Sequence, residues 1–161
     1  MEQIPPVEGS TPPENLLPPQ TTIVTPQRLT ESDERTWAML AHLSILLNLI
    51  TGFLGIVAAL IIYLAYKNRS NYVAYQSMQS FIFQLIWWLG GGLLIGLAWA
   101  ITGILSIALI GLVLIPLACV LSLIPLAALI YGIVGAVQTN NGADFKYWLI
   151  GDWVRGELTR S

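Results

Sequence analysis

The sequence has 161 residues, of which 55% are hydrophobic and only 10% charged, with a formal net charge of −2. Soluble domains carry about 25% charged residues, and a domain of this size still exposes about 30% of its unfolded surface. These values exclude a soluble enzyme and a disulfide scaffold, and they leave no basic surface for nucleic acid. Because no Asp, Glu, Lys, Arg or His lies between Arg69 and Asp144, we predict an all-α, polytopic membrane helical bundle.

Residues 1–29 form a Pro-rich tail, with seven of the nine prolines at or before Pro26. Such a segment buries too little apolar surface to order itself, so we predict disorder with polyproline II character. A solvated tail is the main interpretation, and docking of its paired prolines on a partner protein is the alternative. The first residues have neither a cationic stretch nor an apolar run, so we expect no cleavable signal peptide.

A four-helix transmembrane domain is predicted over residues 30–143. Thr30 precedes an acidic first turn and resembles a helix N-cap. The following apolar run, residues 37–66, is broken at Thr51 and Gly52. It is either one long tilted helix or a hairpin of two short helices, each too short for a full span.

Two longer spans are predicted after the polar break at residues 67–71. We place them at residues 78–102 and 110–136, with a turn near residues 103–111. Pro116 and Pro125 each remove a backbone hydrogen bond, so we expect kinks in the last helix. The Asn140-Asn141-Gly142 sequence supplies the helix stop.

The positions of the cations predict the orientation. All Lys and Arg residues lie before residue 36, at 67–69 or after 145. The positive-inside rule places all three groups on the cytoplasmic side only if residues 37–66 form a hairpin. We therefore favour four segments, the first two short and hairpin-like. The predicted location is the bacterial cytoplasmic (inner) membrane, with both termini in the cytoplasm.

The C-terminal segment, residues 144–161, is predicted to lie at the membrane surface. Phe145, Leu149 and Trp153 are spaced as one stripe of a helix, and the charged residues fall mainly off that stripe. This pattern is typical of an interfacial amphipathic helix.

Two features are candidates for a polar intramembrane face. The first is His42, the only ionisable residue between Arg35 and Lys67; no side chain on its own helix could partner it, so a structural role is favoured over a proton or metal role. The second is a polar stripe that begins the third segment. Its residues either make helix–helix contacts or line a polar crevice or docking groove; they are Gln76, Ser77, Ser80 and Gln84.

Small residues at every fourth position predict close helix packing or oligomerisation, at Gly92 and Gly96 and at Ala128, Gly132 and Ala136. No acid–base pair, triad or set of metal ligands is evident, so we expect no enzyme activity, no cofactor and no metal. The expected partners are the lipid bilayer and either a membrane protein or a second copy of the chain, with no nucleic acid.

Three passages resemble a known family: residues 34–44 (ERTWAMLAHLS), residues 67–85, which include KNRS and QSMQSFIFQL, and residues 141–147 (NGADFKY). They look like a bacterial membrane family of unknown function that is similar to the twenty-kilodalton (Tic-twenty-like) subunit of the chloroplast inner-envelope protein translocon. The sequence departs from that family at Gln76, where a His or charged residue is common, and at Trp148, where a Pro is common.

The resemblance implies a four-helix membrane protein and, by analogy, a subunit or accessory of a protein translocation or insertion complex. A small-solute or ion transporter or channel is the alternative, because Gly and Pro interrupt the hydrophobic segments. A tethering or sensing module that acts through the Pro-rich tail is the third hypothesis.

Overall fold

Every regular element of the described chain is a helix. The computed structural model describes residues 28–159, and within that range the all-α prediction is confirmed. The predicted disorder of the Pro-rich tail falls on residues 1–29, and residues 1–27 lie outside the described part of the chain. Residues 160 and 161 also lie outside them.

The first half of the described chain is a short helical hairpin. Helix α1 (Glu31–Leu43) starts at Thr30, whose Oγ1 accepts a hydrogen bond from the Asp33 backbone N–H, as the sequence predicts. A 3₁₀ turn (Ser44–Leu46) and helix α2 (Leu47–Thr51) continue it. Gly52 then reverses the chain with a φ of 82°, a conformation that glycine adopts without strain, and helix α3 (Leu54–Tyr66) returns. Residues 37–66 are therefore a hairpin and not one helix.

The second half is a longer hairpin. Its first arm runs without interruption through helix α4 (Asn71–Gln84), a π-helical segment (Leu85–Gly90) and helix α5 (Gly91–Ser106). The arm is about 54 Å long at 1.5 Å per residue. The chain reverses at residues 107–109, inside the predicted turn, where Leu109 has a φ of 63°.

The returning arm is divided into shorter helices. A 3₁₀ segment (Ile110–Leu114) leads into α6 (Ile115–Leu121) and α7 (Ile124–Asn140). Pro116 and Pro125 lie in the first turns of α6 and α7, where a missing N–H costs nothing. They start two helices, whereas the sequence predicted kinks inside one.

The short hairpin packs beside only half of the long one. Helix α3 lies along α4, and α1 lies along both α4 and α7. The tip of the short hairpin ends beside the π-helical segment, where the indole Nε1 of Trp88 donates a 2.7 Å hydrogen bond to the Gly52 carbonyl. Beyond that level α5 packs mainly on the 3₁₀ segment and α6 of the returning arm.

The two sets of small residues behave differently. Ala128, Gly132 and Ala136 are buried on the face of α7 that meets α1. A Cβ at Gly132 would lie 3.0 Å from Ile45 Cγ2, so this contact needs a glycine. Gly92 and Gly96 are exposed on α5, and a Cβ added to either of them would meet no atom within 4 Å.

The C-terminal segment differs from the prediction of one helical stripe. Residues 143–150 form no helix, and helix α8 begins only at Gly151 and ends at Leu158. Phe145 is buried, whereas Leu149 and Trp153 are exposed. The cause is that the chain between Gly142 and Gly151 is not helical, so a spacing of four residues does not place side chains on one face there.

The outer surface of the bundle is apolar. Two helical arms, Asn71–Ser106 and Ile110–Asn140, are long and apolar enough to cross a membrane, and few residues of their most apolar windows are buried. Ile50, Ile107 and Val113 are each at least 80% exposed. A helix that is apolar on its outer face has lipid as its natural solvent, so the fold is that of a helical membrane protein.

Candidate functional site

The predicted polar face is the centre of one buried hydrogen-bonded network. All five of its predicted residues are at most 1% exposed. The structure brings four of them together, while the Ser77 hydroxyl donates to the Val73 carbonyl of its own helix at 2.6 Å. We call the network the polar cluster, which consists of His42, Ser44, Asn48, Gln76, Gln79, Ser80, Gln84 and Tyr147.

His42 occupies one end of the polar cluster and has two side-chain partners. Its Nδ1 lies 3.0 Å from the Tyr147 hydroxyl and its Nε2 lies 3.0 Å from Gln76 Oε1. Gln76 Nε2 donates to the Phe145 carbonyl at 3.1 Å, which leaves its Oε1 as an acceptor. With a neutral imidazole that carries its proton on Nε2, His42 donates to Gln76 and accepts from the Tyr147 hydroxyl, so both hydrogen bonds form. Both partners of His42 come from other segments, and none from its own helix.

Gln79 connects α4 to the C-terminal segment. Its Nε2 donates to the Phe145 carbonyl at 2.8 Å, and its Oε1 accepts from the Tyr147 backbone N–H at 3.3 Å. These bonds satisfy backbone groups of a non-helical segment that have no helical partner. They hold Phe145 and Tyr147 against the bundle.

Gln84 occupies the other end of the polar cluster, near the tip of the short hairpin. Its Nε2 donates to Ser44 Oγ at 2.9 Å and to Ser80 Oγ at 3.1 Å, and its Oε1 accepts from Asn48 Nδ2 at 2.9 Å. Asn48 Oδ1 in turn accepts from the Gly55 backbone N–H at 2.8 Å. One side chain of α4 thus joins both arms of the short hairpin.

Gly55 makes this close approach geometrically feasible. A Cβ on Gly55 would lie 2.7 Å from Asn48 Oδ1 and 2.8 Å from Gln84 Oε1. These separations are shorter than carbon–oxygen contacts allow, so a side chain would displace both amides. Glycine is therefore required at residue 55 because there is no space for a side chain, and not because of its backbone conformation.

Aromatic rings enclose the His42 end of the polar cluster. Phe83 and Tyr147 are stacked, with centroids 3.9 Å apart and planes at 6°. The Phe145 ring stands edge-on to His42 at 5.3 Å, and Tyr131 contacts both Phe145 and Tyr147. Burial among these rings raises the pKa of the Tyr147 phenol above its usual value, so the hydroxyl stays protonated.

A charged layer lies next to the polar cluster, at the end of the bundle where α1 and α4 begin. Lys146 Nζ pairs with Asp152 at 2.9 Å and Arg155 Nη2 pairs with Asp144 at 2.6 Å. Hydrogen bonding to the carboxylates raises the pKa of both cations. All four side chains are substantially exposed, so each pair contributes little to stability.

The side chains of the polar cluster are almost fully hydrogen-bonded to one another and to the backbone. Among residues 28–159, no group of three His, Cys, Asp or Glu side chains could hold a metal ion. Within the same range, the Tyr75 hydroxyl is the only buried side-chain polar atom without a hydrogen-bond partner. The arrangement is therefore that of a satisfied polar network that fixes helix positions.

Sequence reasoning missed four members of the polar cluster as functional candidates: Ser44, Asn48, Gln79 and Tyr147. Ser44 and Asn48 are spaced four residues apart in an otherwise apolar segment, which is a readable signal. Residues 144–147 alternate between charged and aromatic side chains, which indicates extended chain with one buried face. Neither signal identifies the partner on the other helix.

Residues 33–154 match the family described as the magnetosome magnetite crystal formation protein family. The chain belongs to that family. No curated protein and no solved structure matches the chain. The family consists of magnetosome membrane proteins, so the expectation of a membrane protein is confirmed at that level.

Family membership corrects the resemblance to the translocon subunit, which is wrong. The three passages that carried the resemblance contain His42, Gln76, Gln79, Gln84 and Tyr147, which join the two hairpins in this structure. A resemblance carried by residues that pack helices together reflects the fold and does not establish a function. The family match supports neither translocation nor transport.

Proposed function

We propose that this chain acts in magnetite crystal formation as a non-enzymatic structural component of the magnetosome membrane. The single observation that carries the proposal is the family match over residues 33–154. In this role the protein contributes a fixed membrane-embedded fold and associates with other membrane components, and it converts no substrate.

The state of the polar cluster supports this mode of action. A catalytic or ion-relaying site needs donors or acceptors that are free to meet a substrate or ion. In the polar cluster, the donors and acceptors of His42 and Gln84 are already hydrogen-bonded to other side chains of the protein. The polar cluster therefore holds the short hairpin, α4 and the C-terminal segment together.

The proposed membrane arrangement has four segments. The long hairpin crosses the bilayer, and the short hairpin enters from the same side and ends near its middle, at the level of Trp88. The start of α1, residues 67–70 and residues 141–150 lie at one end of the bundle, because Tyr72 bonds to Ala143 and Arg35 lies beside Gly142. Both termini then face the cytoplasm.

Complementation tests this function. The chain is expressed in a magnetosome-forming cell that lacks its own member of the family, and crystal size is measured by electron microscopy. Restored crystals support the proposal. Failure of the wild-type chain to change crystal size, despite its presence in the magnetosome membrane, would contradict a role in crystal formation.

The variant His42→Gln separates the structural mode from a chemical one. Glutamine retains a donor and an acceptor but neither titrates near neutral pH nor provides an imidazole ligand. We expect His42→Gln to accumulate in the membrane and to restore crystals as well as wild type does. Wild-type accumulation with loss of crystals would instead indicate a proton or metal role for His42.

A further inference from the structure

A second polar feature lies outside the polar cluster, in a pocket at the charged end of the bundle. The pocket has a volume of about 760 Å³ and opens between the 67–70 loop, the start of α4 and helix α8. Sites for small molecules occupy about 300–1,000 Å³, so the pocket holds more than a single ion. Its polar lining includes Lys67, Asn68, Asn71, Tyr75, Asp144 and Arg155.

Lys67 gives the pocket an excess positive charge. Its Nζ lies 5.9 Å from the centroid of the Tyr63 ring, and it has no carboxylate partner among residues 28–159. Arg155 is the other cation and is held by Asp144 at 2.6 Å. The two cations and one carboxylate leave the pocket with a net charge near +1.

The start of α4 adds a fixed dipole. The Ser70 side chain caps α4 by accepting from the Val73 N–H at 3.1 Å, and Asn71 and Tyr72 in the first turn line the pocket. A helix of 14 residues presents partial positive charge at this end. The helix field thus has the same sign as Lys67.

Tyr75 supplies an independent indication of a ligand. Tyr75 is only 7% exposed, and its hydroxyl has no hydrogen-bond partner. The Arg155 guanidinium lies over its ring, with Cζ 4.5 Å from the centroid. The hydroxyl lies near Gly151, on the side of the pocket where Arg155 is found. A buried hydroxyl without a partner is costly, and a ligand oxygen that reaches it beside Arg155 would satisfy it.

We propose that this pocket binds a phosphate group, either of an anionic phospholipid head group or of a free phosphate compound. A phosphate presents several acceptor oxygens to the Lys67 ammonium, the Arg155 guanidinium and the Tyr75 hydroxyl. The pocket lies where the apolar helices end, which is the depth of lipid phosphates. The inference concerns a site apart from the polar cluster and does not depend on the function proposed above.

The test uses the full chain in an uncharged detergent. Its thermal unfolding is followed while dioctanoyl phosphatidylglycerol, dioctanoyl phosphatidylcholine or inorganic phosphate is added at constant ionic strength. A ligand of the folded state raises the melting temperature saturably. We expect saturable stabilisation by phosphatidylglycerol or by inorganic phosphate, and the effective compound identifies the source of the phosphate.

Four variants make the test specific. Lys67→Gln removes the unpaired cation and should weaken binding at least tenfold, whereas Asp144→Asn frees Arg155 and should tighten it about threefold. Arg35→Gln is the matched control, because it removes one cation from the same end of the bundle but outside the pocket, and its affinity should stay within about twofold. Tyr75→Phe keeps the ring and should weaken binding.

Three results would overturn the proposal. One is the absence of saturable stabilisation of wild type by either phosphatidylglycerol or phosphate. Another is equal loss of affinity in Lys67→Gln and Arg35→Gln, which would reflect general surface charge. The third is equal stabilisation by phosphatidylcholine and phosphatidylglycerol in every variant, which would reflect non-specific solvation by lipid.

Discussion

The indole of Trp88 donates a 2.7 Å hydrogen bond to the carbonyl of Gly52, which joins the tip of the short hairpin to the π-helical segment of the long one. The π-helical segment (Leu85–Gly90) carries both Trp87 and Trp88. Gly52 has a positive φ and ends α2, so its carbonyl lies outside any helical ladder. In a bilayer such a carbonyl needs a partner from the protein.

The variant Trp88→Phe tests this contact. We expect a loss of about 0.5–1.5 kcal/mol in the free energy of unfolding, because the indole N–H donor is lost while an aromatic ring is retained; Trp87→Phe makes the same reduction in ring size. Circular dichroism of the protein in detergent measures the change. Trp87→Phe is the control, since the Trp87 ring packs on Phe83 and is partly exposed. Equal stability of the two variants would show that the Gly52 contact does not hold the tip.

The variant Gln84→Leu tests whether the hydrogen bonds of the polar cluster stabilise the fold. It removes the shared partner of Ser44, Ser80 and Asn48 while keeping similar volume. Each buried group left without a partner costs about 1–3 kcal/mol, so we expect destabilisation on the order of 2–4 kcal/mol. Gln138→Leu makes the same chemical change at an exposed position of α7 and should change stability little. The prediction fails if both variants unfold at the same denaturant concentration.

A pair of glycines tests the packing of small residues. A Cβ at Gly135 would lie 2.8 Å from Phe145 Cε1 and 3.0 Å from His42 Nδ1, so Gly135→Ala should cost about 1–3 kcal/mol through overpacking. Gly96 faces open space, so Gly96→Ala should be neutral or stabilise the helix by up to about 1 kcal/mol. Thermal unfolding measures both. A stabilising Gly135→Ala would contradict the close approach of α7 to the His42 end of the cluster.

Cysteine labelling tests the orientation. In a Cys119→Ser background, Asn68→Cys and Asn141→Cys place a thiol at exposed positions near the charged end, and Ala108→Cys places one at the tip of the long hairpin. In sealed vesicles an impermeant maleimide should react with the first two from one side and with the third from the other. Labelling of Asn68→Cys and Ala108→Cys from the same side would exclude the crossing of the long hairpin.

Much of the fold could be read from the sequence because its signals are local. The Thr51-Gly52 break, the Asn141-Gly142 stop and the Thr30 cap are properties of neighbouring residues, and the structure has a helix boundary at each. The polar stripe of α4 is likewise visible from its spacing. These features depend on helical periodicity and on glycine conformation, which need no knowledge of tertiary contacts.

The partners of the polar stripe could not be read in the same way. His42 meets Gln76 and Tyr147, which lie 34 and 105 residues further along the chain. Which helix faces meet depends on their packing, and no local pattern reports it. Phe145 was predicted as part of an interfacial stripe for a related reason: its spacing to Leu149 and Trp153 suits a helix, but the chain before Gly151 is not helical.

The unequal lengths of the two hairpins have a consequence for the surrounding lipid. At the charged end, the cross-section of the bundle contains α1, α3, α4 and α7, whereas beyond Trp88 it contains only α5 and the short helices that follow Ile110. The described part of the protein is therefore wider at the charged end than at the opposite end. In a bilayer it would displace more lipid from one leaflet than from the other, so its insertion favours a membrane that bends toward the narrow end.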